Sequence, residues 1–274
     1  MSDQTDNKSR IVFLALLPVM VLLASETALF YLQQHLLSFV AIFSFAVLSC
    51  QLIIQVVFTQ GEICNGQRFR LVKVNLWLAL YWAGLLLLGT MAAKRYIPLA
   101  LLIGAALLLL ITVWQQPKED IRLQRGILLF GTVCGILGMF CYVAILLNLP
   151  LQDGLIYSPF SQLLLGLIVA NWQLRLSRNR LQGFLALLPR LMLLTLLLNA
   201  IYSVGILLAL HVNLLLPTIS SSAFAGYFAL HLVLGILLFW LILKQKMLDL
   251  RWLSLLLLLT LCLPLLLMSA YLPR

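Results

Sequence analysis

Charged side chains are what this sequence has least of. Among 274 residues only 9% are Asp, Glu, Lys or Arg, and only eight are acidic. Hydrophobic residues make up 64% of the chain and the mean hydropathy is +1.10, so there is too little polar surface to cover a water-soluble globule. That excludes a cytosolic enzyme, a secreted disulfide scaffold and a nucleic-acid binder, despite the net charge of +10. The chain reads as a membrane protein. A helical span takes about 20 apolar residues, so nine spans would use about 190 positions and leave no room for a soluble domain.

Other scarcities narrow the chemistry. The five cysteines show no CxxC and no His–Cys cluster, so they read as small buried hydrophobes, and no metal is expected. There is no P-loop, dinucleotide fingerprint, HExxH or GxSxG, and no cofactor is expected. Paired Asp clusters that would hold magnesium and a diphosphate are absent. The adjacent acids Glu119 and Asp120 sit beside Lys118 and Arg122 as ordinary loop charge. Cys141, Asn199 and His231 lack the outer-face Arg that membrane-embedded sorting transpeptidases of the exosortase type require, and no family resemblance is claimed. An enzyme is therefore not the favoured reading.

What the sequence does contain is apolar runs. They lie at 11–33, 36–58, 74–92, 97–114, 126–148, 157–173, 184–210, 223–243 and 252–271, which predicts an all-α, polytopic helix bundle of about nine spans forming one transmembrane domain. Gln33, Gln34 and His35 divide the first two runs. The first run is too long for the apolar core of a signal peptide and is expected to be a retained helix. With the N-terminus inside, fourteen of the 18 basic residues fall in inner segments; Lys94, Arg95 and Arg274 fall outside, and Arg190 falls within a span, from which it is expected to snorkel. The bias predicts N-in, C-out, in the inner membrane of a bacterium. Gly131, Gly135 and Gly138 mark one face of the fifth run where another helix can approach closely. The leucine-rich last run is expected to be a peripheral, lipid-facing helix.

Polar groups at membrane depth are costly in hydrocarbon, which makes them candidate functional residues. Glu26 and Asn199 each lie about 22 Å, and His231 about 18 Å, from the inner edge at 1.5 Å per residue. Thr195, Asn199 and Tyr202 share one helical face, as do Tyr227 and His231 on the next span. The expectation is one hydrogen-bonded layer joining Glu26 to His231, directly or through Asn199 or a water, which serves either as a proton-coupling or substrate-binding site or as a structural knot. Ser44, Gln51 and Gln55 form a polar stripe running inward along the second run, suited to lining a path. Three classes stay open: a transport or permeation protein for a small or amphiphilic substrate; a non-catalytic subunit, anchor or assembly factor with a membrane-protein partner; and an intramembrane enzyme acting on a lipid or lipid-linked substrate. Membrane lipids are the expected surroundings in all three.

Overall fold

Each apolar run of the sequence contains a helix among the described residues. The computed structural model describes residues 2–32, 41–61, 63–91, 97–117, 120–178, 181–212, 221–244 and 248–271. Its helices are α1 (Ser2–Leu32), α2 (Ser44–Gln60), α3 (Asn65–Leu76), α4 (Leu78–Met91), α5 (Ile97–Trp114), α6 (Ile121–Leu147), α7 (Pro159–Leu176), α8 (Gln182–Val212), α9 (Ser221–Leu243) and α10 (Leu250–Tyr271), with a 3₁₀ turn at Leu151–Leu155 before α7. No strand occurs among the described residues. Hydrocarbon offers the backbone no hydrogen bonds, so an apolar segment must satisfy its own N–H and C=O groups, and a helix does so within one segment. Among the described residues eight stretches are long and apolar enough to cross a membrane, and α2 is a shorter apolar helix beside them. The chain is a multi-pass, all-helical membrane protein. Gln33, Gln34, His35, Lys94, Arg95, Lys118, Glu119, Arg180, Asn213, Lys246 and Arg274 lie outside the described residues.

Several helices start away from the expected boundaries, and at the second and third spans the difference bears on the site. The third span, expected from residue 74, begins at Asn65: α3 and α4 follow one another across Trp77 and form a single candidate span of 27 residues. Its basic first turns are helical because Gln67, Leu71, Val74 and Leu78 are buried at i, i+4, i+7 and i+11, while Arg70 and Lys73 stay exposed. The helix of the second span starts at Ser44 and has only 17 residues, about 25 Å of length.

The described helices sort into two compact units. The first comprises residues 1–145 with 172–181, and the second 146–171 with 182–274. Within the first, α1 packs on α4, while α2, α3 and α4 all pack on α5. The glycine face of α6 meets α2 and α5 there. A Cβ on Gly131 would stand 2.1 Å from Thr112 Oγ1, and one on Gly135 would stand 2.4 Å from Leu52 Cδ2. The end of α7 is tied in by Trp172 Nε1, which donates to Leu14 O at 2.8 Å, and by Arg70 Nε, which donates to Ser177 O at 3.0 Å.

Within the second unit, α9 packs against both α8 and α10, and the 3₁₀ turn lies on α8. The last helix, expected to be peripheral and lipid-facing, is open on one side and packed on the other. Leucines on one side of α10, among them Leu253, Leu256 and Leu267, are buried together with Thr260, and only the other side, at Leu255 and Leu258, is open. Leucine serves core and lipid equally well, so composition could not separate the two sides. Of the eight longer spans the one over Asp153–Leu176 is the most enclosed, 72% buried where no other of the eight exceeds 44%.

Candidate functional site

Glu26 is fully enclosed in the first unit, and all of its partners are there. Its Oε1 accepts the Ile42 N–H at 2.7 Å; its Oε2 accepts the Phe43 N–H at 3.0 Å and the Tyr81 hydroxyl at 3.2 Å. Ile42 and Phe43 immediately precede α2, so the carboxyl group occupies the position of a helix cap supplied by another helix. A helix start buried in apolar surroundings must find partners for its first N–H groups, and a negative group is favoured at that end. The local chain offers no side-chain cap, because position 43 is Phe.

The polar stripe of α2 lies in the same unit. Ser44 is buried and its hydroxyl donates to Ala41 O at 3.0 Å, so it is used up on its own turn. Gln55 Nε2 donates to Leu128 O of α6 at 2.6 Å and lies 3.5 Å from Thr132 Oγ1. Gln55 Oε1 has no hydrogen-bond partner among the described residues, and neither amide atom of Gln51, one turn away, has one. Both side chains are 1% exposed. A buried amide without partners is costly, so an unpaired column of this kind is a place where protein packing alone does not complete the structure.

Leu128 and Thr132, which receive Gln55, also line a cavity of about 1330 Å³. It lies among the end of α2, the first turns of α3, the end of α5 and the start of α6. Basic residues Arg68, Lys73 and Arg125 border it, with Gln116 and Gln124 between them. Arg68 Nη1 donates to Gln116 Oε1 at 2.6 Å, and Gln124 Nε2 donates to the same oxygen at 3.2 Å. The Arg68 guanidinium also lies 5.8 Å from the Phe58 ring centroid, and Lys73 Nζ lies 4.4 Å from that of Phe69.

The second unit holds a different constellation, built around Asn199 of α8. Its Oδ1 accepts the Ser158 hydroxyl, and its Nδ2 reaches Tyr227 Oη at 3.1 Å and His231 Nε2 at 2.8 Å. Ser203, one turn along α8, donates to Asn199 O and meets Tyr227 Oη at 2.8 Å. His231 Nδ1 lies 3.0 Å from Tyr227 O, a carbonyl that can only accept; Nδ1 therefore carries the proton and Nε2 accepts from Asn199. With that tautomer each polar atom of the cluster has a counterpart. Tyr202 sits beside the cluster, half-buried, its ring edge-on to Phe160 at 5.7 Å.

The structure thus unites Asn199, Tyr227 and His231 as their helical faces implied. It does not join Glu26 to them by a direct hydrogen bond: Glu26 is fully engaged by Ile42, Phe43 and Tyr81. Matched depth places two groups in one layer but says nothing of their lateral neighbours. Tyr81 went unnoticed because the third span was started nine residues late, which hid its depth. Ser203 was visible as the i+4 neighbour of Asn199, whereas Ser158 was not, since it precedes α7 in a turn. Arg68, Gln116 and Gln124 looked like loop residues, and their meeting depends on how four helix ends pack. Arg190 is exposed, as an anchoring residue requires.

Comparison with known proteins gives a family without an activity. A relative from Haemophilus influenzae (strain ATCC 51907 / DSM 11121 / KW20 / Rd), described as "Uncharacterized protein", is 35% identical over 265 residues, which cover 97% of this chain and 98% of the relative. No solved structure matches. Residues 4–269 match a family described as integral membrane domain, and with nearly the whole chain accounted for, this protein belongs to that integral membrane family.

Proposed function

We propose that this protein is a transport or permeation protein of the bacterial inner membrane, oriented N-in and C-out, that takes a small or amphiphilic substrate through its first unit. One observation carries the reading: the cavity of about 1330 Å³ is lined by Leu128 and Thr132, the two residues that Gln55 contacts, and behind them Gln55 and Gln51 keep unpaired amide atoms in a buried polar column. Polar groups kept unpaired within a membrane domain suit a path along which water or substrate supplies the missing hydrogen bonds. The basic border of the cavity lies at the helix ends that the charge bias assigns to the cytoplasm.

The test is water access. In a variant free of Cys50, Cys64, Cys134, Cys141 and Cys262, single cysteines at Thr132, Gln55, Gln51 and the exposed Leu137 are treated with a membrane-impermeant maleimide in vesicles of each orientation. Labelling should be fast at Thr132, measurable at Gln55 and Gln51, and absent at Leu137. Labelling that stops at Thr132 would overturn the path.

The second reading is a non-catalytic subunit or assembly factor with a membrane-protein partner. It is favoured by the closed hydrogen bonding of both Glu26 and the Asn199 cluster, because groups so fully engaged with one another suit helix packing. A stable complex of fixed stoichiometry after mild solubilisation, together with labelling confined to Thr132, is the outcome it expects.

A further inference from the structure

We infer that the cavity between α2, α3, α5 and α6 is a binding site for a phosphate ester, held by Arg68, Lys73 and Arg125, with an acyl chain of the same molecule lying along Phe69, Leu76 and Leu129. The inference deepens the proposed function by naming the ligand class at the entrance to the path, and it rests on that reading. Loop cations are placed by topology alone in many membrane proteins, so basic residues by themselves decide nothing. Three features go further. First, all three cations border a single cavity large enough for a headgroup with part of its glycerol backbone, and no carboxylate lines it among the described residues. Second, Arg68 is set into a neutral frame: Gln116 Oε1 takes one of its five N–H groups and is itself fixed by Gln124, which orients the guanidinium and leaves most of its donors free. A tetrahedral anion with several acceptor oxygens suits a planar Arg fork supplemented by ammonium and amide donors.

Third, the polar part of the cavity continues into an apolar wall. Phe69 is 55% exposed, Leu76 41% and Leu129 66%, on the flank of the helices open to lipid. Trp114, at the end of α5, marks the interfacial level where aromatic side chains gather and where lipid phosphates lie. A ligand with a charged head and an apolar tail satisfies both regions at once; a wholly soluble anion satisfies one.

Binding is measured on the purified full-length protein by native mass spectrometry and by thermal stabilisation, with four probes: phosphatidylglycerol, diacylglycerol with the same chains, glycerol 3-phosphate and oleate. Phosphatidylglycerol should be retained at least tenfold better than diacylglycerol. The double variant Arg68→Gln/Arg125→Gln should lose that preference, while Arg251→Gln, in the other unit, should stay within twofold of the parent. If the Arg68 change prevents folding, Lys73→Gln/Arg125→Gln removes two exposed cations and should lower the preference several-fold. Binding that needs both the phosphate and the acyl chains supports the assignment; glycerol 3-phosphate bound as tightly as the lipid overturns the acyl-chain half and leaves a phosphate site with a soluble source. Equal retention of diacylglycerol or oleate, or a preference unchanged in the variants, overturns the assignment. Because no transport enters the measurement, the proposals fail separately: lipid bound without labelling at Gln51 and Gln55 removes the path, and labelling without a phosphate preference removes the site.

Discussion

At Glu26 the two carboxyl oxygens serve different donors, so an amide cannot take its place. In Glu26→Gln one end of the side chain still accepts, but the other presents an NH₂ group to a backbone N–H or to the Tyr81 hydroxyl. That leaves a buried donor unsatisfied at a cost of about 1–3 kcal/mol. Tyr81→Phe removes one hydrogen bond and keeps both backbone contacts, for about 1 kcal/mol. Thermal unfolding in detergent should therefore rank the parent above Tyr81→Phe and Tyr81→Phe above Glu26→Gln; an isosteric Gln variant as stable as the parent would remove the capping role. At this scale the sequence was informative about which residues are unusual and much less about their partners. Helical spacing put Asn199 opposite Tyr227 and His231, because consecutive antiparallel helices of known faces have few ways to meet. Glu26 finds the chain 16 and 17 residues onward and a tyrosine 55 residues onward, and no periodicity encodes such a meeting.

Among the elements, α6 makes the sharpest claim. A methyl group on Gly131 would press on Thr112 Oγ1 at 2.1 Å, and one on Gly135 on Leu52 Cδ2 at 2.4 Å, whereas around Gly89 and Gly104 nothing lies within 4 Å. Overpacking of this kind costs about 1–3 kcal/mol, and Gly→Ala in an unobstructed helix gains about 0.5–1 kcal/mol. Gly131→Ala and Gly135→Ala should lower the melting temperature of the purified protein, and Gly89→Ala and Gly104→Ala should raise it. If all four shift alike, the glycine face is not a packing surface. The GxxxG spacing announced that face in advance, since close approach demands a small residue on successive turns. The two sides of α10 were illegible for the opposite reason, being leucine on both.

For the molecule as a whole, the charge bias predicts an orientation that can be measured. A reporter fused after Leu151 should face the periplasm, and one after Gln116 the cytoplasm; a cytoplasmic signal after Leu151 would break the odd number of crossings. The helical architecture was legible because hydrocarbon forces apolar runs into helices, while the sorting of those helices into units depends on lateral packing that hydropathy does not record. The short helix α2 adds an ordering in time. At about 25 Å it falls short of a ~30 Å hydrocarbon core, and the N–H groups of Ile42 and Phe43 at its start are satisfied by Glu26 of the preceding helix, whose carboxyl also accepts the hydroxyl of a tyrosine of α4 that leaves the ribosome later. During synthesis α2 therefore takes the cap of its start from the helix made just before it, and the Tyr81 hydroxyl joins that carboxyl only after α4 has followed.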